Sequence, residues 1–251
     1  YKWDLGWMND TLKYYSKDPI YKKWEHYNIT FSMAYFFSDN FMLPLSHDEV
    51  VHGKGTIINK MWGDYYQKFA LIRNLYTYQF AHPGKKLNFM SNEWASFDEW
   101  DEKKSLPWVL KTFPAHDSIS RIMRDLNRIY AHEKVMYFEE HNPAHFSWLM
   151  VDNANDSIYA FQRTVGDETL VFVFNMTTNY FEYFAIPLMQ DGVYEEIFNS
   201  DKDVYGGANQ YNGLPIESEP GSFEGLPYHF NIKLGCFAAC IYGIEMMLIV
   251  S

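Results

Sequence analysis

The chain has 251 residues, of which 47% are hydrophobic, so it carries enough apolar material for one large domain or two ordinary ones. Its formal net charge is −11, and its lysines and arginines form no cluster. Nucleic acids and anionic membranes repel such a chain, and we expect neither as a partner. No apolar run in the sequence reaches the length of a membrane span.

The cysteine content indicates a reducing compartment. Cys236 and Cys240 are the only two cysteines. On a single strand this spacing would put them on the same face, about 13 Å apart, which is too far for a disulfide bond. Unpaired thiols are typical of intracellular proteins, and the sequence shows no secretory signal pattern. We therefore predict a cytoplasmic location.

The first half of the chain alternates between predicted strands and predicted helices. Short apolar segments at residues 41–45 and 87–90 are typical of buried strands, and the loosely alternating stretch at residues 2–5 predicts a further short strand. Residues 64–81 and 117–132 repeat apolar side chains every three or four positions, which predicts helices, and Asp64 is a suitable N-cap for the first. Alternating strands and helices favour an α/β architecture with a parallel sheet.

From about Phe146 the periodicity changes to short β-rich segments separated by turn signals such as Gly206-Gly207. The predicted strands are residues 157–162, 170–174, 180–186, 192–198, 228–234 and 236–242. A run of strands after an α/β region predicts a separate all-β domain, most simply an antiparallel β-sandwich. We place the α/β domain at residues 1–142 and the sandwich at 143–251.

The candidate functional site follows the strand at residues 41–45, where Ser46, His47, Asp48 and Glu49 come in succession. Acidic and imidazole side chains at the carboxyl end of a buried strand are typical of the catalytic rim of an α/β barrel. The alternative is a polar loop that only caps the strand. A helical zinc site is excluded because His47 and His52 are five residues apart, about 140° from alignment on a helix.

Four extended blocks carry a family resemblance. The blocks are KWDLGWMNDTL at residues 2–12, LSHDEVVHGK at 45–54, HPGKKLNFMSNE at 82–93 and NSDKDVYGG at 199–207. Their sequences and order resemble the α-amylase superfamily of glycoside hydrolases, in the form of the glycogen (1,4-α-glucan) branching enzymes. The resemblance implies the last three βα units of a TIM (β/α)8 barrel followed by the β-sandwich, and hence the C-terminal part of a longer polypeptide.

The resemblance also implies roles for residues. Asp48 matches the third carboxylate of the superfamily, which stabilises the oxocarbenium-like transition state, and His47 donates a hydrogen bond to the same sugar. Glu49 and His52 are further candidates for binding substrate, as are two residues whose structural alternatives stay open. These are Glu93, which would otherwise support the barrel rim, and Trp3, which would otherwise fill the barrel. No cofactor and no metal is implied.

Two departures from the family pattern matter. Retaining glycosidic chemistry needs a nucleophilic and an acid/base carboxylate about 5 Å apart, and in the family these precede the position of Tyr1. The chain alone is therefore expected to be inactive, with the N-terminal remainder of the enzyme and an α-glucan as its partners. In addition, Ser91 stands where glycine is usual, Trp94 replaces phenylalanine, and Pro107 replaces an acidic residue.

Three functions remain open from the sequence. The first is the C-terminal part of a branching enzyme, which joins cut α-1,4-linked chains as α-1,6 branches. The second is a non-catalytic α-glucan-binding protein that keeps aromatic subsites. The third is a related amylase or trehalohydrolase, which the blocks at residues 2–12 and 45–54 disfavour. The tail from Gly243 to Ser251 has no counterpart in the family pattern.

Overall fold

The computed structural model describes residues 1–245. The helices α1 to α6 are, in chain order, Leu5–Tyr15, Tyr27–Thr30, Ile57–Lys60, Tyr65–Ala81, Pro114–His132 and Lys134–Tyr137. The strands β1 to β12 are Lys2–Trp3, Phe41–Leu45, Lys85–Asn88, Phe146–Met150, Ile158–Val165, Glu168–Asn175, Phe181–Leu188, Val193–Asn199, Ile216–Glu217, Glu219–Phe223, Leu226–Leu234 and Ala239–Glu245. Residues 246–251, which make up most of the tail without a counterpart in the family pattern, lie outside the described residues.

The first half is a three-stranded parallel sheet in the order β1-β2-β3. Met42 in the central strand pairs with Trp3 on one side and with Lys85 on the other. The predicted parallel sheet is confirmed, since β2 and β3 are parallel neighbours and α4 lies between them in the chain. The third strand begins at Lys85, two residues earlier than predicted, because Gly84 turns the chain with a φ of 102° directly before it.

Each strand of this sheet is followed by a long helix, so the first half consists of three βα units. Helix α4 begins with a capping box, in which Asp64 accepts from the Gln67 amide and the Gln67 side chain accepts from the Asp64 amide. Helix α5 begins three residues earlier than predicted because Pro114 suits the first helical position. None of the helices within residues 1–245 has the length and hydropathy needed to cross a bilayer.

The second half forms two antiparallel sheets, one of six strands in the order β4-β5-β6-β12-β8-β9 and one of three in the order β10-β11-β7. All six predicted strands are present, whereas β4, β9 and β10 were not predicted. Cys236 precedes β12, so the assumption that both cysteines share a strand was wrong. Both thiols are nevertheless free, with Cys236 exposed and Cys240 buried.

Strand β6 explains how the two halves join. Phe172 and Phe174 face the core shared with the βα units, while Val171 and Val173 face the core between the two antiparallel sheets. Alternate side chains of a strand point to opposite faces, so an almost continuous apolar run is required here. The six-stranded sheet therefore packs against the three-stranded sheet on one face and against the helices on the other. The division at residues 1–142 and 143–251 stays a prediction.

Polar contacts also cross between the halves. The buried Asn74 side chain of α4 donates to three backbone oxygens of the sandwich, at 3.0–3.2 Å, and accepts from the Tyr15 hydroxyl at 2.6 Å. Arg163 of β5 donates to the carbonyls of Ala81 at 3.1 Å and Met136 at 3.3 Å. Lys22 donates to the Met176 carbonyl at 3.0 Å.

Lys22 gives a pH-dependent prediction. Its ammonium is fully buried beside the rings of Tyr14 and Tyr15, and burial lowers the pKa of Lys22 to about 7 from 10.5. Between these values the unfolded chain binds a proton that the folded chain does not, so this lysine makes the free energy of unfolding rise with pH. Below pH 7 both states are protonated and the burial penalty is constant.

We expect the wild-type protein to gain about 2 kcal/mol relative to Lys22→Met between pH 7 and pH 9, because each of the two pH units contributes up to about 1.36 kcal/mol and Lys22 is still half protonated at pH 7. Urea unfolding of both proteins at the two pH values gives this difference. Comparison with the variant removes the contribution of the other titrating groups, which both proteins share. A difference that stays constant with pH would show that Lys22 remains charged in the folded protein.

Candidate active site

The candidate site is built on the carboxyl end of β2. Leu43, Pro44 and Leu45 are buried, and the chain becomes polar directly after them. The Ser46 side-chain oxygen accepts from the Asp48 amide at 3.2 Å and so begins a short 3-10 helix at His47–Glu49. This turn leaves the side chains of His47 and Asp48 49% and 59% exposed, available to a ligand.

His47 and Asp48 line a polar cleft of about 700 Å³. The His47 Nε2 lies 3.2 Å from the Asp48 Oδ1, and the His47 ring lies 5.7 Å from the Phe89 ring. The loop after β3 supplies the opposite wall. The cleft is lined by His47, Asp48, Val51, His52, Ser91, Asp98, Glu99, Trp100, Asp101, Glu102, Lys104, Ser105, Leu106 and Pro107.

The structure brings together three of the six predicted site residues. His47, Asp48 and His52 line the same cleft. Glu49 belongs to the same 3-10 helix as Asp48 but is half-buried and outside the cleft lining. Its backbone oxygen instead accepts a hydrogen bond from the Lys60 ammonium. Glu49 therefore does not line the cleft, and its role as a substrate contact stays a prediction.

Trp3 and Glu93 lie elsewhere. Trp3 is on β1, at the far side of the sheet from β3, and is 42% exposed. Glu93 lines a second cleft of about 760 Å³ beside β3. This cleft is lined by Phe80, Lys86, Asn88, Met90, Glu93, Trp94, Trp108, Lys111, Ser120, Met123, Arg124 and Asn127. Their roles as substrate contacts stay predictions.

Sequence reasoning missed the acidic wall of the cleft. This wall is formed by Asp98, Glu99 and Asp101, in the loop after β3, which the sequence motifs did not single out. The run of acids around Trp100 was the available signal. Ser91, where the family usually has glycine, adopts a φ of 73°, the left-handed region that glycine occupies without steric cost. The family pattern and the backbone conformation therefore agree at this position.

The arrangement is suited to binding sugar hydroxyls. An exposed carboxylate accepts hydrogen bonds from hydroxyl groups and stabilises a developing positive charge, while the neighbouring imidazole supplies a donor. Across residues 1–245, no three His, Cys, Asp or Glu side chains are grouped so that they could hold a metal ion.

Comparison with known proteins extends over both halves of the chain. Residues 148–245 match the family described as "Alpha amylase, C-terminal all-beta domain". The 1,4-alpha-glucan branching enzyme GlgB of a Shewanella species is 45% identical over 228 residues, which are 90% of this chain and 31% of that protein. The GlgB of Gloeobacter violaceus is 43% identical over 240 residues, or 94% and 33%. The chain thus spans about a third of the length of the curated relatives it matches.

Solved structures show the same fold. An AmyP variant in complex with maltotriose superposes with a TM-score of 0.66, and AmyP in complex with maltose with 0.65. Each is 10% identical, and each superposition covers 97% of this chain and 50% of the other. The likeness in fold therefore extends over both the parallel βα units and the β-sandwich. By sequence, the chain is therefore related to the 1,4-alpha-glucan branching enzymes over most of its length, and residues 148–245 are related to the C-terminal all-beta domain of the alpha-amylases.

Proposed function

We propose that the chain is part of a glucan branching enzyme, which cleaves α-1,4-glucosidic bonds and transfers the cut chain to form α-1,6 branches. The observation that carries the proposal is the His47–Asp48 pair in an open cleft at the carboxyl end of a parallel strand. It is supported by 45% identity to a curated branching enzyme over 90% of the chain. An α-glucan, such as glycogen, amylose or a maltooligosaccharide, is the substrate class.

In this proposal Asp48 accepts hydrogen bonds from the hydroxyls of the sugar at the scissile bond and stabilises the oxocarbenium-like transition state. His47, whose Nε2 lies 3.2 Å from the Asp48 Oδ1, donates to the same sugar. His52 contacts the substrate from the same cleft. Such contacts accelerate transfer only where they strengthen in the transition state.

We further propose that the nucleophilic and acid/base carboxylates come from the remainder of the polypeptide. Retaining transfer needs this pair about 5 Å apart. The chain covers 31% of the Shewanella enzyme, and its parallel sheet has three strands, whereas a complete barrel has eight. A cytoplasmic location belongs to this proposal and is supported by the two free cysteines.

The test uses the longest natural polypeptide that contains the chain, incubated with amylose. A branching enzyme lowers the iodine absorbance while the number of reducing ends stays constant, because every cut chain is rejoined. A hydrolase of the amylase or trehalohydrolase type raises the number of reducing ends as iodine absorbance falls. Maltooligosaccharide binding with neither change would favour a non-catalytic glucan-binding protein. Either of the last two results would contradict the proposal.

The chain of 251 residues on its own is expected to leave the iodine absorbance of amylose unchanged, because the proposed nucleophile and acid/base are outside it. Isothermal titration with maltoheptaose then reports any remaining affinity of the cleft. Turnover by a pure sample would mean that one of its own carboxylates acts as the nucleophile, and the assignment of Asp48 as the third carboxylate would fail.

A further inference from the structure

The loop that follows Asp48 has an unusual backbone. His52, Gly53 and Gly55 have φ values of 58°, 78° and 75°, all in the left-handed region. For His52 this conformation carries a steric cost, and such a conformation persists only where surrounding contacts impose it. An added Cβ at Gly53 would meet nothing within 4 Å, so at that position the backbone conformation, not crowding, requires glycine.

Lys60 binds the backbone carbonyl oxygens of this loop. Its ammonium donates to the carbonyl oxygens of Glu49, of Lys54 at 2.9 Å and of Gly55 at 3.2 Å. An ammonium group has three hydrogens, so all of its donors are used on backbone oxygens. The Lys54 ammonium in turn donates to the Asp48 carbonyl at 2.8 Å. The carbonyls of Asp48 and of the next residue are thus both held by lysines.

Glu99 binds backbone amides of the same loop. Its carboxylate accepts from the Gly53 amide at 3.0 Å and from the Gly55 amide at 2.6 Å. The hydrogen bond from the Gly53 amide, and then that from the Gly55 amide, lower the pKa of Glu99. The next residue, Trp100, donates its amide to the Val50 carbonyl at 3.0 Å. The loop after β3 therefore holds the loop after β2 through backbone atoms.

We infer that Glu99 and Lys60 are positioning residues that fix the loop of residues 49–55 and thereby hold Asp48 and His47 in the cleft. The inference rests on the proposed function, since it assigns Asp48 the role of stabilising the transition state. Lys60 donates hydrogen bonds to carbonyl oxygens of this loop, whereas Glu99 accepts them from its amides. Neither side chain can therefore make the contacts of the other. A displacement of a catalytic group by about 1 Å typically lowers the rate about 10²-fold.

The test compares Glu99→Ala and Glu99→Gln in the longest natural polypeptide that contains the chain. For Glu99→Ala we expect kcat on amylose to fall about 10- to 100-fold with KM within about twofold, because positioning acts on the transition state and not on binding. Glutamine keeps one acceptor oxygen and should lie between alanine and wild type. Amide hydrogen exchange at Gly53 and Gly55 should be about tenfold faster in Glu99→Ala.

Glu102→Ala is the matched control. It removes an acidic side chain from the same cleft wall, and the structure of residues 1–245 shows no hydrogen bond or ion pair for it. Any change in kcat that it causes measures the loss of an acidic side chain from the cleft wall without the loss of a contact to the loop, and the effect of Glu99→Ala must exceed it. Lys60→Met, which keeps the length of the side chain, provides a second variant with the same expected loss of kcat.

Two results would overturn the inference. Unchanged exchange at Gly53 and Gly55 in Glu99→Ala would show that Glu99 does not hold the loop. Faster exchange with unchanged kcat would show that the loop does not position the catalytic groups. Failure of the proposed function is distinguishable, because it would appear as normal turnover in Asp48→Asn, while hydrogen exchange of the loop does not depend on activity.

Discussion

Replacing Asp48 by asparagine in the longest natural polypeptide is expected to lower the turnover number on amylose about 10²- to 10³-fold, the usual cost of removing one group that stabilises transition-state charge. The variant keeps the size and shape of the side chain but loses the negative charge that the cationic transition state requires. Its amide oxygen still accepts a hydrogen bond from a sugar hydroxyl. The Kd for maltoheptaose, measured by titration calorimetry, should therefore change little.

Asp167→Asn is the matched control, because it makes the same chemical change in an exposed turn between β5 and β6, remote from the cleft. It should leave turnover unchanged. If Ser46 to Glu49 only cap the strand, Asp48→Asn should keep near-normal turnover with a modest loss of thermal stability. More than about a tenth of wild-type turnover, above the range typical of such groups, would remove Asp48 from the catalytic role.

Asn74→Leu is expected to lower the free energy of unfolding by about 3 kcal/mol or more, because each buried polar group left without a partner costs about 1–3 kcal/mol. Asn74 is fully buried, and its side chain joins α4 to the backbone of the sandwich. Leucine branches at the same carbon and is no smaller than asparagine, so the variant leaves no cavity. Urea unfolding measures the change.

Two further variants control this prediction. Tyr15→Phe removes only the hydroxyl that donates to Asn74, and should cost about 1 kcal/mol, the typical value of one hydrogen bond. Asn155→Leu makes the same substitution at an exposed position, where changes usually stay within about 0.5 kcal/mol. An Asn74→Leu protein as stable as the Asn155→Leu protein would show that these hydrogen bonds contribute no net stability.

The fold was predictable where local signals agree with tertiary contacts. The apolar residues 41–45, the capping residue Asp64 and the apolar period of α4 all favour the elements that form. The strand β10, Glu219–Phe223, was not predictable because it contains Pro220 and Gly221, residues that strands disfavour. It forms at an edge of its sheet, paired only with β11, where a proline is tolerated.

The candidate site was predictable only in part. The motif around Asp48 identified one wall of the cleft, because its residues are contiguous in sequence and follow a buried strand. Glu99 could not be assigned in this way, since it binds the backbone amides of Gly53 and Gly55, more than 40 residues earlier. Contacts to backbone atoms leave no signature in residue type. The separation of Trp3 and Glu93 from the cleft likewise depends on strand order, which sequence motifs do not specify.

The most direct test of the account is proton NMR of amylose treated with the longest natural polypeptide that contains the chain, read at the anomeric signals that distinguish α-1,6 from α-1,4 linkages. We predict that the wild-type protein produces α-1,6 linkages, and that Asp48→Asn binds maltoheptaose normally but produces at least about 100-fold fewer in the same time. Equal yields of α-1,6 linkages from the two proteins, or none from a folded wild-type protein that binds glucan, would contradict the account.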